Sequence, residues 1–71
     1  MSMKAVDNVD NVLIMIDGFF STHVVAKYYP DTNTLEMVEG RAPYLPRALE
    51  ALRKYRKERN IPAAPMRVEY W

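Results

Sequence analysis

Val12-Leu13-Ile14-Met15-Ile16-Asp17-Gly18-Phe19-Phe20 is the stretch whose reading decides the fold. Five apolar residues follow one another without a polar break, so they cannot alternate between a buried and a solvated side. Val12–Ile16 therefore reads as a strand covered on both faces. Asp17-Gly18 separates it from a second β-prone run containing Phe19, Phe20, Thr22, Val24 and Val25. Asp-Gly at such a place predicts a two-residue hairpin of type I′. Both central residues then need φ > 0, which glycine adopts freely and aspartate tolerates.

Working outward, the first strand spans about Asn11–Ile16 and the second about Phe19–Tyr29. In the second, Val24, Ala26 and Tyr28 share one face, read as core, while His23, Val25, Lys27 and Tyr29 share the other. Pro30-Asp31-Thr32-Asn33-Thr34 is dense in turn formers and closes a second hairpin. A third strand, Thr34–Glu39, is short and charged, which suits a sheet edge. Gly40 ends it.

After a connector at Arg41–Leu45, a helix is predicted over about 46–59. Proline suits its first position, and Leu45, Ala48, Leu49, Leu52 and Tyr55 recur at helical spacing as one apolar stripe. Lys57 and Arg59 complement the dipole at its end. Asn60 can take the left-handed cap, Ile61 can pack back, and Pro62 stops continuation. Pro62-Ala63-Ala64-Pro65 is a stiff connector to a last strand, Met66–Trp71. Residues 1–10 are polar and expected to fray.

The pattern predicts a single α+β domain over residues 1–71, with the order β-β-β-α-β. Its four-stranded, mostly antiparallel sheet has strand order 3-2-1-4, the last strand parallel to the first through a helical crossover. One helix packs on one face and cannot cover two. The other face is left with apolar and aromatic side chains, and an exposed patch of that kind marks an interaction surface.

Composition narrows the function classes. A chain of 71 residues builds one small core, and folds of this size usually add a disulfide, a metal or a partner subunit. There is no cysteine and one histidine, so disulfides and thiolate metal sites are excluded and no metal or cofactor is expected. With 49% apolar residues the chain is not of disordered type. Association is the remaining staple, so a homo-oligomer, most simply a dimer, is expected. The first ten residues carry Lys4, Asp7 and Asp10 and do not resemble an export signal. The longest apolar run falls far short of the roughly 20 residues that span a bilayer, so a soluble cytoplasmic protein without membrane contact is expected.

Net charge is +1 but unevenly spread. Residues 1–46 hold Lys4, Lys27 and Arg41 against Asp7, Asp10, Asp17, Asp31, Glu36 and Glu39, while residues 47–71 hold seven basic and three acidic side chains. The helix concentrates the positive charge in Arg53, Lys54, Arg56, Lys57 and Arg59, a pattern suited to phosphates or to an acidic protein surface. Asp17 follows an apolar strand, where metal enzymes place a carboxylate, but Gly18 makes turn chemistry the simpler account. Ser21 and His23 share a side of their strand, yet no carboxylate is placed locally to orient the ring. The repeated Asp-Asn-Val at Asp7–Val9 and Asp10–Val12 lacks the ligand spacing of a calcium loop. Gly18-Phe19-Phe20 departs from the Gly-aromatic run of RNA-stacking sheets, because Asp17 stands where a basic residue is needed.

These residues predict a non-enzymatic protein-binding module, a small regulator or inhibitor that self-associates and occludes a surface on a larger protein. Free-standing chains of this kind suit phages and mobile elements. Phe20, Val25, Tyr29, Tyr70 and Trp71 are the expected contact anchors, since aromatics dominate interface energies. The alternative is a sequence-tolerant nucleic-acid binder using the basic helix.

Overall fold

The computed structural model describes residues 3–18, 21–62 and 65–71 and has five strands there. They are β1 (Met3–Asp7), β2 (Val12–Asp17), β3 (Thr22–Tyr29), β4 (Thr34–Met37) and β5 (Arg67–Tyr70). In Val12–Ile16 buried Val12, Ile14 and Ile16 alternate with half-buried Leu13 and Met15, so this run is covered on one face and not, as expected, on both. A 3₁₀ turn at Ala42–Tyr44 leads into one helix, α1 (Leu45–Glu58), between β4 and β5. The sheet runs in the order β1-β2-β3-β4-β5, antiparallel until β5, which lies parallel to β4. Over the described residues the chain is thus a small α+β domain with one helix and a mixed five-stranded sheet.

This corrects the four-stranded 3-2-1-4 arrangement. The leading residues do not all fray: Met3–Asp7 pair with β2 from Met3 opposite Ile16 to Asp7 opposite Val12. Met3 and Ala5 turn toward the core while Lys4 and Val6 alternate with them, the signature of a half-buried strand. Asn8 and Asn11 close the intervening turn through a backbone and a side-chain hydrogen bond, both 2.9 Å. The place beside β2 is therefore taken, and the last strand adds to the opposite edge, next to β4. Thr34–Met37 becomes an interior strand instead of an edge, and Leu35 and Met37 are fully buried.

The Asp17-Gly18 hairpin also differs from expectation. Asp17 pairs with Thr22, and the Gly18 N–H donates to the Ser21 carbonyl at 2.8 Å, so the paired positions are separated by four residues and not by two. Among the described residues, positive φ occurs at Asn33, Gly40 and Asn60 and not at Gly18. Gly18 is required for room: a Cβ there would lie 2.9 Å from the Ser21 carbonyl oxygen. Phe19, the expected start of the second strand, lies outside the described residues.

A bulge alters the facing of β3. Ile14 pairs with Ala26 but Met15 pairs with Val24, leaving Val25 as the extra residue. Val25 and Ala26 are consequently both buried in the core, and Val24 crosses to the opposite face with Met15. The core is closed by Val12, Ile14 and Ile16 of β2, Tyr28 of β3, and Ala48, Leu52 and Tyr55 of α1.

The helix ends as its sequence requires. Asn60 adopts φ 56°, and the Ile61 N–H donates to the Arg56 carbonyl at 2.9 Å, closing a Schellman turn. Near this end α1 clamps β1. The Tyr55 hydroxyl donates to Asp7 Oδ1, Arg59 Nη2 donates to Asp7 Oδ2 at 2.7 Å, and the Arg59 guanidinium carbon stacks 3.9 Å from the centre of the Tyr55 ring. Tyr55 and Arg59 hold the Asp7 carboxyl below the usual carboxylate range, and Asp7, with burial adding, pushes the Tyr55 hydroxyl above its ordinary value.

The Asp7 contribution to stability is present above the usual carboxylate range and is lost as pH falls through the lowered value. The Tyr55 contribution is present below the ordinary tyrosine value and is lost as pH rises through the raised one. Asp7→Asn is therefore expected to melt below the wild type at neutral pH, with the gap closing in acid. A series of circular-dichroism melts across pH reads this directly, and a gap that stays constant in acid would remove Asp7 from the account.

Candidate functional site

The register places Leu13 opposite Val6 and Lys27, Met15 opposite Val24, Lys27 opposite Glu36, and Tyr29 opposite Thr34. All these residues lie on the sheet face turned away from the helix, because Val12, Ile14 and Ile16 between them point into the core. Leu13, Met15, Val24 and Tyr29 are half-buried by their neighbours, and no second helix covers them among the described residues. Trp71 continues this face beyond β5 and is 71% exposed, with Lys27 Nζ 5.8 Å from its ring centre.

Charge on this face is neutralised within it. Lys4 pairs with Asp17 at 3.9 Å, Arg67 Nε with Glu69 at 3.1 Å, and Lys27 lies across from Glu36 in register. Three cations thus balance three anions around an apolar middle.

The five expected anchors do not form one surface. Tyr29 and Trp71 share the uncovered face. Tyr70 is exposed, but its register partner Met37 puts it on the helix side at the sheet edge. Val25 is wholly buried, because the bulge turns it into the core, and cannot serve as a surface contact. Phe20 lies outside the described residues.

The basic helix divides similarly. Arg56 is only 9% exposed and donates through Nη2 to the Tyr28 hydroxyl at 2.8 Å and to Asn33 Oδ1, while its guanidinium sits 5.2 Å from the Tyr28 ring centre. Arg59 is engaged by Asp7. Of the expected patch, Arg56 is thus buried, whereas Arg59 is exposed and ion-paired. Arg53, Lys54 and Lys57 remain exposed and, with Arg47, border a shallow hollow that includes Met3 and Glu50.

The residues missed from sequence are those of the two clamps, Asp7 on one side and Tyr28 with Asn33 on the other. A signal for the second was present: Arg56 stands four residues after Leu52 and seven after Leu49, so it falls on the apolar stripe.

At the start of β3 the Ser21 hydroxyl and His23 Nε2 lie 2.8 Å apart, both residues exposed. Asp17 accepts from Thr22 Oγ1 at 3.1 Å besides pairing with Lys4. Among the described residues no group of three or more histidine, aspartate or glutamate side chains is placed to hold a metal, and no helix is long and apolar enough to cross a membrane. No family model, curated protein or solved structure matches this chain.

Proposed function

We propose that this chain is a non-enzymatic binding module that self-associates through the uncovered sheet face and uses it to occlude an apolar surface on a larger protein. The observation that carries this reading is the face itself, with half-buried Leu13, Met15, Val24 and Tyr29, exposed Trp71, and charges already paired within it. Paired charges present little net field, so the face favours a neutral apolar partner over a strongly charged one. A second copy supplies such a partner, and it also supplies the additional buried area that a 71-residue chain without cysteine needs. The role this suits is that of a small regulator or inhibitor whose own copy is displaced by its target.

Light scattering across a concentration series tests the reading. The wild type is expected to run as a dimer, and Tyr29→Ala combined with Trp71→Ala as a folded monomer, since both side chains are on the uncovered face and outside the core. A wild type that stays monomeric at high concentration, or a double variant that still dimerises, sinks the proposal.

The exposed Arg47, Arg53, Lys54 and Lys57 support the nucleic-acid alternative. Anisotropy of labelled single- and double-stranded DNA and RNA separates the two: binding that weakens steeply with salt, and is abolished by Lys54→Glu with Lys57→Glu, would favour it.

A further inference from the structure

A groove of about 430 Å³ lies along α1 beside Ile61 and Met66, within the size range of small-ligand sites. Leu49 and Leu52 line it from the helix, and Ile61 and Met66 from beyond the helix end. Its remaining lining residues are Arg53, Arg56 and Lys57, so it combines apolar walls with three cations and no carboxylate. A purely structural apolar crevice has no need of that charge.

Arg56 is the unusual member. A guanidinium stays protonated, and one on a residue only 9% exposed normally has a carboxylate beside it, because desolvation of the charge must be offset. Here its hydrogen bonds go to two neutral acceptors, the Tyr28 hydroxyl and the Asn33 amide oxygen, and its buried Nε has no partner. The salt bridges among the described residues join Lys4 to Asp17, Arg59 to Asp7 and Arg67 to Glu69, and none reaches Arg56. Tyr28 and Asn33 are themselves occupied, the Tyr28 hydroxyl donating to Asn33 Oδ1 at 2.6 Å. Among the lining residues of the groove, Arg56 therefore carries a positive charge that no carboxylate of the described residues pairs.

We infer that this groove binds an amphiphilic carboxylate, its head beside Arg53, Arg56 and Lys57 and its alkyl chain along Leu49, Leu52, Ile61 and Met66. The head brings a countercharge to a cluster in which Arg56 has none from the chain itself, and the exposed guanidinium of Arg53 can meet its two oxygens with two N–H donors. The tail removes the exposed Ile61 side chain from water. This site lies on the helix side of the sheet and is independent of the uncovered face.

The test uses octanoate on the full chain, with octanol and acetate as its two halves, followed by amide shifts in two-dimensional NMR. Octanoate is expected to shift the amides of Leu49, Arg53, Lys57, Ile61 and Met66 and to bind at least about tenfold more tightly than octanol or acetate. Arg53→Gln with Lys57→Gln alters only exposed side chains and is expected to weaken octanoate by about tenfold or more while leaving the fold intact. Octanol binding as tightly as octanoate would reduce the site to an apolar crevice and overturn the inference. Acetate binding equally would reduce it to an ion site and overturn the inference too. So would shifts confined to Leu13, Met15, Val24 and Tyr29, which would place octanoate on the uncovered face.

Discussion

Asn33→Ala is expected to lower folding stability by about 3 kcal/mol, although Asn33 lies in a turn and contributes nothing to the apolar core. Two effects add. The backbone there has φ 53°, a left-handed conformation that asparagine tolerates and that costs alanine about 1 kcal/mol. The side-chain oxygen also accepts from both Arg56 and Tyr28, and the side-chain nitrogen donates to the Pro65 carbonyl. Removing an acceptor from a guanidinium that is mostly buried costs roughly 1.5–3 kcal/mol. Asn33→Gly isolates the second effect, because glycine accepts the backbone angle, so it should recover about 1 kcal/mol and no more. Urea unfolding followed by far-UV circular dichroism measures both. Full recovery by glycine would mean that the hydrogen-bonded junction contributes nothing.

Leu52→Ala is expected to lose about 2–5 kcal/mol, a large share of the roughly 4–10 kcal/mol that a domain of this length possesses. Leu52 is 1% exposed and holds the middle of the helix stripe against the sheet. With one helix over the core, its removal leaves a cavity that no second layer can collapse into. The urea midpoint should fall, with the slope nearly unchanged if unfolding stays two-state. A loss below about 1 kcal/mol would show that the helix is not docked through Leu52.

The two residues differ in how readable they were. Leu52 stands at helical spacing from Leu45 and Leu49, and nearest-neighbour geometry along a helix is a property of the local chain. The Asn60-Ile61-Pro62 terminus was legible for the same reason, since its hydrogen bonds close within six residues. Asn33 could be assigned to a turn, but its role depends on Arg56, which is 23 residues away and reaches it only after the helix has crossed the sheet.

The candidate surfaces follow the same division. An uncovered face could be foreseen from one helix beside several strands. Its membership could not, because the bulge at Val25 adds one residue to β3 and turns Val24 outward while Val25 goes inward. Counting in twos along a strand assumes that no residue is skipped in the partner. The basic patch was read from composition, which cannot distinguish Arg56 on the buried stripe from Lys57 in solvent.

Local order in this chain, meaning the strand runs after residue 11, the helix with its stripe and cap, and the turn-rich 30–34 segment, is written in the types and spacing of its residues. Strand order was decided by tertiary contacts. Met3 and Ala5 are too small a signal to declare a strand, and Met3–Asp7 becomes one because β2 offers it a free edge and Tyr55 and Arg59 hold Asp7 from above. Once that edge is filled, β5 has only β4 to join, and which faces, cations and grooves stay open follows from that choice.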